Sequence, residues 1–179
     1  MNDKYWEKFY KKFRIKNPST FSKFCINYLN KEKFLIDVGC GNGRDSYFFA
    51  KKGFHVIGID KNTRPKDCHN VRFLKEDFKA VPFCNNQIYA RFFIHSIFDY
   101  EIRELIFKCR DLVMIEFRYT GDHPIVYKGH NRNIVDGRRI FDLFYENGFK
   151  ILFYQVAYGL AKYKNEDPLI CRMIAKANQ

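Results

Sequence analysis

Residues 35–46, LIDVGCGNGRDS, decide how this chain folds. Leu35 to Val38 form a short apolar run typical of a buried parallel strand, and three glycines follow within the next five residues. From Arg44 onward the pattern becomes helical. A glycine-rich turn between a strand and a helix lets backbone N–H groups approach a ligand and aims the helix N-terminus at it. The segment therefore predicts a binding site for a cofactor that contains a nucleoside.

Asp60 supports the same interpretation from the next strand. It lies 21 residues after Gly39, directly after the apolar run VIGI. An acidic side chain at the end of the second strand can accept hydrogen bonds from ribose hydroxyls. The glycine turn and Asp60 together indicate a nucleoside-binding site more specifically than either feature alone.

The glycine spacing distinguishes between cofactors. A dinucleotide site needs the pattern G-x-G-x-x-G, but here Arg44 occupies the third position and the third glycine is Gly43. Asp37 also stands two residues before the turn, where it would repel a pyrophosphate and suit a cofactor with a positive amino end. S-adenosylmethionine (SAM) carries an ammonium, a sulfonium and an adenosine, so the pattern favours SAM. A tight turn without a ligand would leave Asp37 and Asp60 unexplained.

The length of 179 residues predicts a single structural domain. Within it, residues 1–30 are expected to form an N-terminal helical cap and residues 31–179 the SAM-binding domain. Apolar runs stay well short of the ~20 residues that span a bilayer, and the N-terminus lacks the apolar core of a signal peptide. The six cysteines have no C-x-x-C spacing, which favours free thiols in a reducing cytoplasm over disulfides or a metal site.

The net charge of +12 raises the question of anionic partners. A strong positive field concentrates phosphate-bearing substrates or nucleic acid. The densest basic run, residues 4–16, alternates with aromatic residues that share one helical face. An amphipathic helix with a solvated lysine face is the preferred interpretation, and a nucleic-acid patch is the alternative.

Alternating strand and helix patterns predict an α/β fold. The expected architecture is a doubly wound, mostly parallel, seven-stranded Rossmann-like sheet with an antiparallel C-terminal strand, in which a terminal hairpin forms an antiparallel edge. Residues 61–70 contain Pro65 and no helical periodicity, so we expect a loop where most doubly wound proteins have a helix. Residues 118–133 form a long polar connection, and such loops often carry function.

The motif D-x-G-x-G-x-G, followed by Asp60, resembles the SAM site of class I SAM-dependent methyltransferases. More narrowly, the chain resembles a small bacterial group of methyltransferases associated with cell-surface polysaccharide biosynthesis. The segments that carry this resemblance are YWEKFY, PSTFSKF, GCGNGRDS, YARFFIHSI, IEFR, KGHNRNIVD and YGLAKYKNEDPLICRMIAKA.

The resemblance implies a role for each matching residue at the cofactor. The three glycines of the turn would admit the methionine end of SAM, and Asp37 would orient it through the ammonium or the glycine loop. Asp60 would accept from the ribose, Asp77 from the adenine amino group, and Phe78 would pack on the ring. Three N-terminal aromatic residues could close over the sulfonium, with core packing as the alternative. The cofactor residues are thus Tyr5, Trp6, Tyr10, Asp37, Gly39, Gly41, Gly43, Asp60, Asp77 and Phe78.

Methyl transfer is expected beyond the carboxyl ends of the strands. An acceptor hydroxyl must be positioned and must lose its proton. His95 is the predicted base, with Glu116 or His130 as partner or substitute, although a structural histidine is an alternative for His95. Arginines offer forked donors for a carboxylate or phosphate, and a surface ion pair is the alternative for Arg118 and Arg132. The predicted substrate-binding residues are Arg91, Arg118 and Arg132.

The sequence therefore predicts methyl transfer to an oxygen of a small or glycan-linked, anionic acceptor. An RNA methyltransferase is one rival, since the chain is basic. Yet the tetrapeptide [ND]-P-P-[YF], common in enzymes that methylate base nitrogens, is replaced by residues 95–98, HSIF. A non-catalytic SAM-binding partner subunit is the second rival. Sequence leaves the oligomeric state and the acceptor open.

Overall fold

The computed structural model describes Trp6, Tyr10 and residues 17–119, 135–163 and 165–178. Its helices are α1 (Thr20–Cys25), α2 (Arg44–Lys51), α3 (Asp99–Lys108) and α4 (Gly137–Glu146). Its strands are β1 (Leu35–Val38), β2 (Val56–Ile59), β3 (Val71–Leu74), β4 (Gln87–Arg91), β5 (Leu112–Arg118), β6 (Phe149–Ala157) and β7 (Ile170–Ala177). Single 3₁₀ turns cover Ile26–Tyr28, Phe78–Ala80 and Ile94–Ser96.

Within these residues the strands form one seven-stranded sheet in the order β3-β2-β1-β4-β5-β7-β6. The pairs among β1 to β5 are parallel, and β7 is antiparallel to both β5 and β6. The doubly wound α/β fold with an antiparallel C-terminal strand is confirmed. It is the Rossmann-like fold of class I SAM-dependent methyltransferases.

The predicted antiparallel edge is formed by the hairpin of β6 and β7. Within this hairpin β7 lies between β5 and β6, and β6 is the edge strand. The burial of the two strands explains this order. The first six residues of β7 are all buried, whereas in β6 only Phe149 is buried and the other residues are partly or fully exposed. A strand that is apolar on both faces needs neighbours and cover on both sides.

The connection between β2 and β3 contains no helix, as expected from Pro65 and the missing periodicity. Asp67 holds this segment by accepting from the backbone N–H of Phe73 at 2.9 Å and pairing with Arg64 at 3.2 Å. Each face of the sheet nevertheless has its own apolar cluster, one under α3 and α4 and the other under α1 and α2.

The N-terminal helix α1 is joined to the sheet through a buried carboxylate on α2. Ser19 caps α1, and its N–H and hydroxyl donate to Asp45 at 2.7 and 2.8 Å. Ser22 and Tyr89 donate to the same carboxylate at 3.1 and 2.8 Å. The separate cap over residues 1–30 stays a prediction. Among the described residues, no helix combines the length and apolarity needed to cross a membrane.

Replacing Asp45 by asparagine should destabilise the protein, because the amide brings a donor towards four groups that already donate. We expect the free energy of unfolding to fall by about 2–3 kcal/mol, the range for hydrogen bonds to a charged group. Asp142→Asn is the matched control, since Asp142 is half exposed in a surface pair with Arg138 and should cost less than about 0.5 kcal/mol. Equal losses in urea denaturation would contradict the role of Asp45.

Candidate active site

The glycine turn lies between β1 and α2 and has the backbone geometry that its composition predicts. Gly39, Gly41 and Gly43 have φ values of 73°, 57° and 75°, in the left-handed region where a Cβ is disfavoured. A Cβ on Gly39 would lie 2.6 Å from the ring of Phe93, and one on Gly41 would lie 2.4 Å from the ring of Tyr10. The turn therefore depends on glycine both for its conformation and for the close approach of neighbouring rings.

Asp37 lies beneath this turn and lines a large cavity at the carboxyl ends of the strands. Its side chain is buried and accepts a hydrogen bond from the Ser46 hydroxyl at 2.5 Å. Burial, and next the negative charges of Asp45 and Asp60, raise the pKa of Asp37 to about 7, against the opposing effects of Ser46 and Arg44. A bound cation next to this carboxylate would relieve the cost of ionising it.

Asp60 shapes the cavity from the end of β2. Its carboxylate accepts from the backbone N–H of Gly41 at 3.0 Å, Asn62 at 2.8 Å and Thr63 at 3.0 Å. The side chain lines the cavity, so the predicted ribose acceptor also holds the glycine turn and the following loop in place. Sequence reasoning had not given Asp60 this second role.

Asp77 and Phe78 line the same cavity after β3. Asp77 caps the 3₁₀ turn by accepting from the N–H of Lys79 at 3.0 Å. The Phe78 ring is buried and meets Phe93 edge to face, with ring centroids 5.4 Å apart. Both residues therefore stand beside the cofactor end of the cavity, and their contacts with adenine stay predictions.

Trp6 and Tyr10 cover the glycine turn from the N-terminal segment. Both are helical, both line the cavity, and their rings stack with centroids 5.8 Å apart. Burial, and to a lesser extent the charge of Asp60, raise the pKa of Tyr10 above its usual range. Tyr5, the third predicted aromatic residue, lies outside the described residues.

His95 lies in the 3₁₀ turn after β4 and faces the same cavity. Its side chain is 3% exposed, and its ring lies 5.5 Å from that of Phe92. This burial fits either predicted interpretation, a base or a structural histidine. His130 and Arg132, which belong to the same predicted site, lie outside the described residues.

Glu116 is placed differently from the prediction. It lies behind the cavity wall with 0% exposure, and its two oxygens accept from the Nε atoms of Arg91 at 2.6 Å and Arg172 at 2.7 Å. Both carboxylate oxygens are occupied by guanidinium donors, and the side chain is not part of the cavity lining. This geometry does not suit the predicted role of Glu116 as a base or as the partner of His95.

The two described arginines of the predicted substrate site reach the cavity from neighbouring strands. Arg91 ends β4 and Arg118 ends β5, and both line the cavity. Arg118 pairs with Glu166 of the β6–β7 loop at 2.6 Å. This loop, residues 158–169, contributes part of the wall, including Gly159, Leu160 and Lys162.

Asp45, Tyr89 and Arg172 belong to the site or support it, although no sequence motif singles them out. Asp45 carried one visible signal, an acid in the first turn of a helix after a glycine turn, but its partners lie 23 to 44 residues away. Arg172 occupies an apolar strand, where a charged residue requires a buried partner.

Among the described residues, no group of three or more histidine, cysteine or acidic side chains is arranged to hold a metal.

Comparisons with known proteins agree with this architecture. The family described as tellurite resistance protein TehB matches residues 2–109, more than half of the chain. A search of curated proteins found no significant relative.

Solved structures match over most of the chain. A SAM-dependent methyltransferase from Anabaena variabilis has a TM-score of 0.70 and 17% identity, covering 98% of this chain and 93% of its own. One from Methanosarcina mazei has a TM-score of 0.66 and 20% identity, covering 86% and 96%. The Burkholderia thailandensis 1,6-didemethyltoxoflavin-N1-methyltransferase, solved with S-adenosylhomocysteine (SAH), has a TM-score of 0.67 and 14% identity, covering 88% and 76%. At these identities the likeness shows the fold.

The raised pKa of Asp37 predicts that SAM affinity depends on pH. As the pH falls below about 7, the free protein protonates Asp37, and the carboxylate preferred by the SAM ammonium is lost. Calorimetry between about pH 6 and about pH 7.5, below the usual titration of an α-amino group, should show affinity falling by at most about tenfold per pH unit.

Two controls isolate Asp37. Asp37→Asn should flatten the pH profile, and 5′-methylthioadenosine, which lacks the ammonium, should bind with little pH dependence. The folding stability of the ligand-free protein should depend on pH in the opposite direction from SAM affinity. The folded protein takes up a proton on Asp37 below about pH 7, whereas the unfolded chain takes it up only near the ordinary pKa of 3.8. Asp37 then favours folding as the pH falls. A flat SAM profile in the unmodified protein would contradict the prediction.

Proposed function

Since the chain belongs to the family of tellurite resistance protein TehB and has the class I fold, we propose that it is a SAM-dependent methyltransferase that produces SAH. We further propose that the acceptor atom is an oxygen of a small or glycan-linked anion, carrying a phosphate or carboxylate, in surface polysaccharide biosynthesis. The six free cysteines support a reducing cytoplasm as the site of the reaction.

The observation that carries this proposal is one cavity lined both by the carboxylates around the glycine turn and by Arg91 and Arg118 at the ends of β4 and β5. The cavity has a volume of about 840 Å³ and runs from the glycine turn to the β6–β7 loop, a size typical of ligand sites. Its cofactor end contains Asp37, Asp60 and Asp77, which suit a cation. Its other end contains Arg91, together with Arg118 and Lys162, which pair with Glu166 and Asp167. Arg91 in particular suits an anion.

Arg91 is the best placed group for the acceptor. Its Nε is held by Glu116, and its guanidinium carbon lies 4.1 Å from the centroid of the Phe92 ring. Among the described residues, no hydrogen bond uses its two terminal nitrogens, and the side chain lines the cavity. Two parallel N–H donors of this kind match a carboxylate or phosphate.

When bound, SAM would supply an electrophilic methyl carbon and a sulfonium that leaves as a neutral thioether. The residues of the chain have two tasks, which are to hold the acceptor oxygen in line and to remove its proton if it is a hydroxyl. Arg91 and Arg118 would position the anion, and His95 would accept the proton. A phosphate oxygen that is already ionised would need no base.

The acceptor class can be tested directly. Purified protein is incubated with methyl-labelled SAM and matched pairs of acceptors, such as a nucleotide-linked uronic acid against its neutral hexose, or a sugar phosphate against the free sugar. Label should enter the anionic member of a pair. Transfer to RNA would support the first rival, transfer to tellurite would shift the acceptor to the oxyanion in the family name, and SAM binding without any transfer would support a non-catalytic subunit.

His95→Gln should separate chemistry from cofactor binding. If the acceptor is a hydroxyl, we expect kcat to fall by about a hundredfold or more, the usual contribution of a general base, while SAM affinity stays within about twofold, because the predicted base does not bind SAM. His69→Gln, at an exposed position after β2, is the matched control and should keep full activity. Unchanged kcat in His95→Gln would rule out the base and leave a structural histidine.

A further inference from the structure

Arg172 stands in a charged row behind the acceptor end of the cavity. The strand register places Arg91 beside Glu116 and Glu116 beside Arg172 on three adjacent strands. One carboxylate oxygen accepts from Arg91 and the other from Arg172, at 2.6 and 2.7 Å. Within this row two guanidinium groups face one carboxylate.

Building on the proposed function, we propose that Arg172 is a positioning residue for the anionic acceptor, acting through Glu116 on Arg91. The buried Glu116 carboxylate would be free to turn if Arg91 alone held it. Arg172 occupies its second oxygen and thereby fixes the plane of the carboxylate. The Nε of Arg91 is then held in one direction, and its terminal nitrogens face the cavity.

Further contacts hold the guanidinium group of Arg172 in a single orientation. Its Nη2 donates to the Thr20 hydroxyl at 2.7 Å and to the Leu160 carbonyl at 3.0 Å. The Thr20 hydroxyl itself donates to the same carbonyl at 2.8 Å. The guanidinium also lies 5.4 Å from the centroid of the buried Phe21 ring. Arg172 therefore joins the sheet, α1 and the β6–β7 loop that lines the cavity.

Simple electrostatics and positioning make different predictions for conservative variants. Arg172→Lys keeps the charge but loses the fork that reaches Glu116, Thr20 and Leu160 together. Glu116→Gln removes a negative charge and so increases the positive field, but it weakens the hold on Arg91. A purely electrostatic site would bind anions equally well in the first variant and more tightly in the second.

The experiment measures binding of inorganic phosphate to protein saturated with SAH, by ³¹P NMR titration, together with SAH affinity by calorimetry. We expect Arg172→Lys and Glu116→Gln each to weaken phosphate binding by about three- to tenfold, within the range of hydrogen bonds to charged groups, while SAH affinity stays within about twofold. Arg138→Lys is the matched control, because Arg138 is 76% exposed on α4, and it should change neither value.

The outcomes separate this proposal from the proposed function. Arg91→Gln tests the anion site itself and should weaken phosphate binding by about tenfold or more. If phosphate does not bind, or binds equally well to Arg91→Gln, the anion site fails and the role of Arg172 fails with it. If Arg91→Gln weakens binding but Arg172→Lys and Glu116→Gln do not, the role of Arg172 alone is refuted. Parallel losses of phosphate and SAH affinity would show a merely structural role and also refute it.

Discussion

The buried carboxylate of Asp45 is the contact on which the geometry of the site depends. A charged group in an apolar interior is tolerated only when donors surround it. Those donors come from the segment before α1, from α1 itself and from β4, so these elements must meet at the start of α2. The adjacent residue, Ser46, holds Asp37. Two neighbouring side chains thereby fix the glycine turn, the strand before it and the start of α1 at Ser19.

The cavity is lined by carboxylates around the glycine turn and by Arg91 and Arg118 at the ends of β4 and β5, and a ligand can offset the cost of burying these charges. At the cofactor end, burial and neighbouring carboxylates raise the pKa of Asp37 to about 7, which a bound cation would reverse. At the other end, two arginines share the buried Glu116, and an anion would pair with Arg91. A cationic methyl donor and an anionic acceptor would thus each complete the half of the site that they enter.

The missing helix between β2 and β3 changes what supports the turn. The loop that replaces it folds back towards the glycines, where the Thr63 hydroxyl donates to the Gly41 carbonyl at 2.5 Å. Pro65 lies 3.2 Å from the position that a Cβ on Gly43 would take. Asp60 accepts from both this loop and the turn. The shortened connection therefore still braces the cofactor end of the cavity, through hydrogen bonds instead of helix packing.

Features that depend on neighbouring residues in the chain could be predicted from local patterns. Apolar runs, the glycine spacing and Pro65 fixed the strands, the turn and the absent helix, because backbone conformation responds to local side chains. The tertiary structure alone decided which charges meet. Glu116 looked like a base, yet strand register places it between Arg91 and Arg172, and β7 lies inside the sheet because both of its faces are apolar. Such pairings join residues 25 to 56 positions apart, and only the packing of the sheet specifies them.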